Sequence, residues 1–164
     1  MKYIFYTLAS LLIFAGCSSS KKNYLDRSDT DNALFDAVKA LKKNKADTAA
    51  INALPTLYNL AQQRHLRKIN SLEESKELSR WDKIMNEYNN LQDMHNAIID
   101  VDAAYAAITP VNYKQTMYDL KQQAAEEYYN GAGDYLSRTG RDNAKQAYNY
   151  SKKADKFVAG YKDS

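Results

Sequence analysis

Residues 78–98, LSRWDKIMNEYNNLQDMHNAI, carry large side chains that are spaced three or four positions apart. Residues at this spacing fall on one face of an α-helix, and that face can be buried against a neighbouring element. The polar residues between them fall on the opposite face. The stretch therefore predicts an amphipathic helix that begins near Leu78. Its large residues are Trp81, Ile84, Met85, Tyr88, Leu91, His95 and Ile98.

Similar apolar stripes occur on both sides of this stretch. No glycine stands between residues 18 and 130, and alternating runs of β-branched residues are missing, so strands are not expected. Pro55 falls inside one stripe, where it either kinks the helix or starts its main part after a short first turn. The sequence predicts an all-α fold of about five helices, packed as antiparallel hairpins in a bundle or an α-solenoid. The other four helices are expected over 31–43, from an Asp47 cap through Leu72, over 113–136 and over 141–157, with Gly160 closing the last.

The first 16 residues have the pattern of an export signal. Lys2 supplies a basic start, and residues 3–16 form an almost unbroken apolar run. At 14 residues this run is shorter than the roughly 20 residues that a helix needs to cross a bilayer. It ends in two small residues directly before Cys17, the single cysteine of the chain.

These residues resemble the signal of bacterial lipoproteins, in which a large apolar residue and two small ones precede a lipidated cysteine. Phe14 stands where the family usually has leucine. The resemblance implies that residues 1–16 are removed and that acyl chains on Cys17 hold the protein in a membrane. Because Ser18 rather than aspartate follows the cysteine, it also implies the outer membrane. Two lysines, rather than an acidic cluster, come next and favour an anchor that faces the periplasm.

The residues after Cys17 are expected to separate the anchor from the helices. Residues 17–29 are mostly polar, with Tyr24 and Leu25 as their only large apolar side chains, and they predict a flexible tether. Residues 30–164 predict a single α-helical domain.

The last two predicted helices resemble a tetratricopeptide repeat. The spacing of Tyr128, Ala132 and Tyr135 is similar to that of the first helix in this family. The resemblance implies a helical hairpin whose small residues permit close packing beside a binding groove. The turn around Gly140 is about three residues longer than in the family, and Ala159 stands at its usual proline position. The second helix matches the family at Ala147, Tyr150 and Ala154.

A cruder pattern repeats every 30 residues. Tyr58, Tyr88, Tyr118 and Tyr148 follow this step. The pattern indicates either a degenerate helical repeat or a coincidence in a chain with 14 tyrosines.

Catalytic and metal chemistry has little support in the sequence. One cysteine excludes an intramolecular disulfide and a cysteine-based zinc site. His65 and His95 could meet across paired helices, but neither has a second metal ligand three or four residues later, so each is expected to be packed and satisfied by one hydrogen bond. No catalytic residue, metal site or cofactor is predicted, apart from the lipid on Cys17. The acidic pairs Glu73/Glu74, Glu126/Glu127 and Asp100/Asp102 are not expected to converge on one substrate atom.

The charge and the tyrosine content indicate the class of partner. A net charge of +3 is too small to favour nucleic acid. Tyrosine has a large contact area with a polar tip and is enriched at binding surfaces. The sequence predicts a non-enzymatic lipoprotein that acts as a protein-interaction or scaffold module of an envelope complex; the alternative is an accessory lipoprotein that captures a small molecule or glycan on tyrosine faces. The residues expected to line the groove are Tyr128, Tyr129, Tyr135 and Tyr148.

Overall fold

The computed structural model describes residues 23–163, in which six α-helices and two short 3-10 helices are present and no strand occurs. The all-α prediction is confirmed. The predicted signal, Cys17 and the first part of the tether lie outside the described residues. The α-helices are α1 Thr30–Lys43, α2 Thr48–Glu73, α3 Arg80–Ile99, α4 Asp102–Ala107, α5 Lys114–Leu136 and α6 Arg141–Phe157, and the 3-10 helices are Tyr24–Asp26 and Tyr161–Asp163.

The predicted helix bounds agree with the structure to within two residues at most ends. Asp47 caps α2 as expected, because its Oδ1 accepts a hydrogen bond from the backbone N–H of Ala50 at 3.1 Å. The helix continues through Pro55 to Glu73. The additional helix, α4, forms in the alanine-rich stretch that precedes Pro110.

The helices enclose two apolar cores. The first core lies between α1, the first half of α2, the end of α3 and α4, and its fully buried residues include Leu34, Leu54 and Ile98. The second lies between the end of α2, the first half of α3, α5 and α6, and includes Ile69 and Ile84. Because α2 and α3 run through both cores, they join the α1 end of the molecule to the α5–α6 hairpin.

A layer of buried and half-buried hydrogen-bonding groups lies between the two cores. Gln62 donates from Nε2 to the Tyr113 hydroxyl at 2.7 Å, and the Tyr113 backbone N–H donates to Gln92 Oε1 at 2.8 Å. The Tyr58 hydroxyl accepts from the backbone N–H of Val111 at 2.8 Å. We call Tyr58, Gln62, Gln92 and Tyr113 the polar layer. It fixes the segment before α5 against the middle of α2 and α3.

The helical domain begins earlier in the chain than the sequence predicts. Tyr24, expected in the flexible tether, is only 3% exposed and belongs to the first core. Arg27 binds Asp36 of α1 through Nη1 at 2.6 Å. Residues 23–29 are therefore packed on the helices, which differs from the tether predicted over 17–29.

The tyrosines spaced 30 residues apart do not occupy equivalent positions. Tyr58 is buried, whereas Tyr118 and Tyr148 are about three-fifths exposed, at 59% and 64%. A duplicated unit would place them in similar surroundings, so the structure gives no support to that repeat.

Within residues 23–163, none of the helices is both long and apolar enough to cross a membrane.

Two glycines of α5 form a matched test of packing. A Cβ at Gly133 meets nothing within 4 Å, so Gly133→Ala is expected to raise the free energy of unfolding by about 0.5 to 1 kcal/mol through helix propensity. A Cβ at Gly131 would lie 2.9 Å from Leu78 Cδ1 and 3.0 Å from Tyr150 Cδ2. Gly131→Ala is therefore expected to lower it by about 1 kcal/mol, because overpacking outweighs the propensity gain. Thermal unfolding of both variants checks this, and equal stabilisation would contradict the close packing at Gly131.

Candidate functional site

The α5–α6 hairpin positions a cluster of aromatic rings. Ala132, Ala147 and Ala154 are buried, so the two helices pack closely along a seam of small side chains. Tyr150 of α6 lies at the centre of the cluster. Its ring makes edge-to-face contacts with Tyr128 at 5.6 Å and with Tyr135 at 5.4 Å between centroids. These contacts fix the orientation of Tyr150.

A cavity lies beside this cluster, between α6 and the start of α3. We call it the α6 groove. Its volume is about 770 Å³, and its apolar floor is formed by Leu78, Tyr128 and Tyr150. Lys152, Lys153 and Lys156 stand along its α6 side, together with Asp155, and Asp82 of α3 stands opposite. The groove thus combines aromatic surface with a row of cations.

Asp82 connects the two sides of the α6 groove. Its Oδ2 accepts a hydrogen bond from Lys153 Nζ at 2.7 Å and one from the Tyr128 hydroxyl at 3.3 Å, and its Oδ1 lies 3.7 Å from Lys156 Nζ. Burial raises the pKa of Asp82, but the hydrogen bond and charge of Lys153 and the charge of Lys156 outweigh burial and lower the pKa below its ordinary value. Burial and the charge of Asp82 raise the pKa of Tyr128, so this hydroxyl remains a donor.

A second ion pair fixes the start of α3 against α5. Arg80 donates from Nη2 to both carboxylate oxygens of Glu127, at 2.8 and 2.6 Å, and Trp81 donates from Nε1 to Glu127 at 3.0 Å. A neighbouring hollow of about 310 Å³ contains Tyr135 and shares Leu78 and Tyr150 with the α6 groove. The aromatic floor therefore continues from one cavity into the next.

The four tyrosines predicted for a groove are divided among several places. Tyr128 forms the floor of the α6 groove, and Tyr135 lines the neighbouring hollow. Tyr129 packs instead against Tyr161, with ring centroids 6.0 Å apart. Tyr148 is exposed and lines neither cavity.

His65 lies in a buried cluster of charges between α1, α2 and α3. Its Nδ1 is 2.6 Å from Glu87 Oε2, and its Nε2 is 3.2 Å from Asp31 Oδ2. Glu87 also accepts from Lys68 Nζ at 2.5 Å, and Arg64 pairs with Asp31. The prediction of a single hydrogen bond for His65 was wrong, because the two ring nitrogens contact two different carboxylates.

The two histidines are not brought together. His95 bonds to Gln92, with its Nδ1 3.1 Å from Gln92 Nε2, whereas His65 bonds to Glu87 and Asp31. Within the described part of the chain, no group of three His, Cys, Asp or Glu side chains is arranged to hold a metal ion.

The predicted acidic pairs are divided in a similar way. Glu127 is bound by Arg80, whereas its neighbour Glu126 is exposed. Asp102 pairs with Lys45 at 3.3 Å on the surface.

The pH dependence of stability tests the ion pairs of Asp82. Because its folded pKa is lower than the ordinary 3.8, Asp82 contributes stability above about pH 4, and this contribution is lost as the pH falls through the folded pKa. Asp82→Asn is expected to lower the free energy of unfolding by about 1 kcal/mol near neutral pH, since the carboxylate is partly exposed. Urea unfolding at several pH values should show the two proteins converging in acid, and a difference that stays constant down to about pH 2 would contradict the ion pairs.

Sequence reasoning missed Leu78 and Asp82 as groove residues. The sequence places both residues in the helix that is predicted to begin near Leu78, and no local signal indicates that the start of this helix faces α6. In the sequence, Gly131 is a sign of close approach, because its missing side chain leaves room for Leu78 and Tyr150.

Comparisons of the chain with protein-family models, with curated proteins and with solved structures gave no match.

Proposed function

We propose that this chain is a non-enzymatic interaction module of the cell envelope, anchored through a lipid on Cys17 in the outer membrane and facing the periplasm. Its α6 groove binds a segment of a partner protein. The observation that carries the proposal is the apolar floor of Leu78, Tyr128 and Tyr150 beside a row of lysines. Buried aromatic side chains supply much of the binding energy at protein interfaces.

The charge of α6 indicates the chemistry of the partner segment. This helix contains five basic and two acidic residues, whereas the described residues as a whole contain equal numbers of each. Asp82 already binds Lys153, but Lys152 makes no ion pair within residues 23–163 and borders the groove. The partner segment is therefore one that places an apolar side chain on the floor and carboxylates near Lys152 and Lys156.

Site-specific crosslinking tests this docking. A photo-reactive amino acid at Asn149, which lines the α6 groove, is expected to crosslink one defined protein in intact membranes. The matched control is Asn59, which is exposed on α2 and does not line the groove. After purification, the captured protein is expected to bind the native chain about tenfold more tightly than the Asn149→Trp variant, with Asn59→Trp unchanged. Equal crosslinking at both positions, or equal affinity for both variants, would exclude docking in the groove.

The lipid anchor has its own test. Cys17→Ser is expected to move the protein from the membrane fraction to the soluble fraction, because acyl chains supply the membrane affinity. Mass spectrometry of the processed chain should find acyl groups on Cys17. An unmodified cysteine at the start of the processed chain would refute the anchor.

A second candidate is supported by the size of the cavity. About 770 Å³ is within the range of pockets that hold small molecules, and the Tyr128 and Tyr150 rings offer flat surfaces for stacking. Saturable binding of a glycan that Asn149→Trp abolishes, without any crosslinked protein, would favour an accessory ligand-binding lipoprotein over the interaction module.

A further inference from the structure

The burial of Tyr24 limits how far the helical domain can lie from Cys17. Tyr24 is held in the first core, so only residues 18–23 connect it to the cysteine. An extended chain spans at most about 3.6 Å per residue, which gives this connection a maximum reach of about 25 Å. The side of the domain where residue 23 enters must therefore lie close to any membrane that holds Cys17.

The chain enters the domain beside the C-terminal half of α1. Asn23 and Tyr24 line a cavity of about 360 Å³ together with Lys39 and Lys43. From there the chain runs back along α1. Arg27 binds Asp36 in the middle of this helix, and the helix itself begins three residues later, at Thr30. The entry point and the last turns of α1 therefore form the same end of the molecule.

This end presents unpaired cations. Lys39, Lys42 and Lys43 are exposed and make no ion pair with any residue from 23 to 163. Two further lysines, Lys21 and Lys22, lie in the connection to Cys17.

Most acidic groups near these lysines have a partner, and Asp26 is bound only by the side-chain amide of Asn23. Asp29 and Asp36 accept hydrogen bonds from Arg27 at 2.8 and 2.6 Å. Asp47 caps α2, and Asp102 pairs with Lys45. Lys39, Lys42 and Lys43 are thus left without a carboxylate partner among residues 23–163.

An apolar side chain accompanies these lysines. Phe35 is 37% exposed and lies four and seven residues before Lys39 and Lys42, so the three share one face of α1. An exposed stripe of aromatic and basic residues is suited to the interface of a membrane. The cations can bind lipid phosphates there, and the aromatic ring can lie at the level of the headgroups.

We call the part of the molecule formed by Phe35, Lys39, Lys42 and Lys43 the basic end. We propose that the basic end lies against the headgroups of an anionic phospholipid membrane. This inference rests on the proposed acylation of Cys17, which brings that end within reach of the lipid. Anionic headgroups attract basic residues near the surface, and the attraction falls off within a Debye length. The connection reaches at most about 25 Å, so it allows the lysines to come within such distances.

The orientation places the α6 groove away from the membrane. The helix α2 begins beside the basic end, contains 26 residues and is about 39 Å long. Its far end leads to α3, where Leu78 and Asp82 border the α6 groove. With the basic end on the lipid, the groove is presented to the aqueous side, where a partner can reach it.

Fluorescence quenching in vesicles tests the orientation. The acylated full chain has no free thiol once Cys17 is modified, so Ala46→Cys and Ala144→Cys each accept one fluorophore. Both alanines are exposed; Ala46 follows the basic end, and Ala144 lies on α6. A quencher attached to lipid headgroups is expected to quench the label at 46 and not at 144 in phosphatidylcholine vesicles that contain phosphatidylglycerol. The difference should diminish in pure phosphatidylcholine and in high salt.

Charge reversal identifies the residues responsible. The triple variant Lys39→Glu, Lys42→Glu and Lys43→Glu is expected to lose the quenching at 46, with the surface-bound population falling about fivefold or more for each lysine. The control variant Lys76→Glu, Lys83→Glu and Lys145→Glu reverses three exposed lysines outside the α6 groove, has the same net charge and is expected to keep the quenching. Circular dichroism verifies that both variants are helical.

The outcomes distinguish the two proposals. Acylated protein that is quenched equally at 46 and 144, quenched equally in neutral vesicles, or affected equally by both charge variants would overturn the orientation while leaving the anchor intact. An unmodified Cys17 in the mass spectrum would overturn the anchor and the orientation together.

Discussion

Glu87→Ala is expected to lower the free energy of unfolding by about 3 kcal/mol, as measured by urea unfolding near neutral pH. Glu87 is 3% exposed and binds both His65 and Lys68. Lys68 is exposed and can return to water, but the His65 ring stays buried and loses the carboxylate at its Nδ1. The loss combines an unsatisfied buried donor with a cavity.

A double variant separates the pairing from the packing. In His65→Met with Glu87→Leu, both polar partners are replaced by apolar side chains of similar size, and most of the lost stability should return. Glu126→Ala, at an exposed position of α5, is expected to change stability by less than about 0.5 kcal/mol. A double variant that is no more stable than Glu87→Ala alone would show that the ion pair is not the cause of the loss.

Ile84→Ala and Ile98→Ala are each expected to cost about 3 kcal/mol, since both side chains are fully buried. They lie on the same helix, but Ile84 belongs to the second core and Ile98 to the first. The two substitutions should therefore loosen different parts of the molecule. Ile84→Ala should weaken the attachment of α5 and α6, and Ile98→Ala that of α1 and α4.

Native-state hydrogen exchange measures this separation. The backbone amides of α6 should exchange faster in Ile84→Ala than in Ile98→Ala, and those of α1 should show the opposite order. Faster exchange throughout the molecule in both variants would mean that the two cores open as a single unit.

The sequence predicts the helices well because each apolar stripe is a local property. The residues of α3 from Trp81 to Ile98 already contain the helical period, and the capping of α2 by Asp47 depends only on its own next turn. The burial of Tyr24 could not be predicted from its local sequence. One aromatic residue in a polar stretch gives no periodicity, and its burial depends on the surfaces that α1 and α2 present to it.

The groove and the charge cluster depend on residues that are far apart in sequence. Glu87 lies on the apolar face of α3, one turn after Ile84, where a charged residue is unusual. Its partner His65 is 22 residues earlier. In the same way Asp82 meets Lys153 of α6, 71 residues later. Such pairs become visible only once the helices are packed.

The polar layer gives α2, α3 and the segment before α5 a single alignment. Leucine, isoleucine and methionine stripes fit one another almost equally well after a slide of one helical turn, about 5.4 Å. Such a slide would separate Gln92 from Tyr113, and Glu87 from His65, in one step. Replacing Gln62 and Gln92 with leucine would weaken this selectivity and leave Glu87 and His65 to oppose the other offsets, each of which would give a differently shaped cavity beside Tyr150.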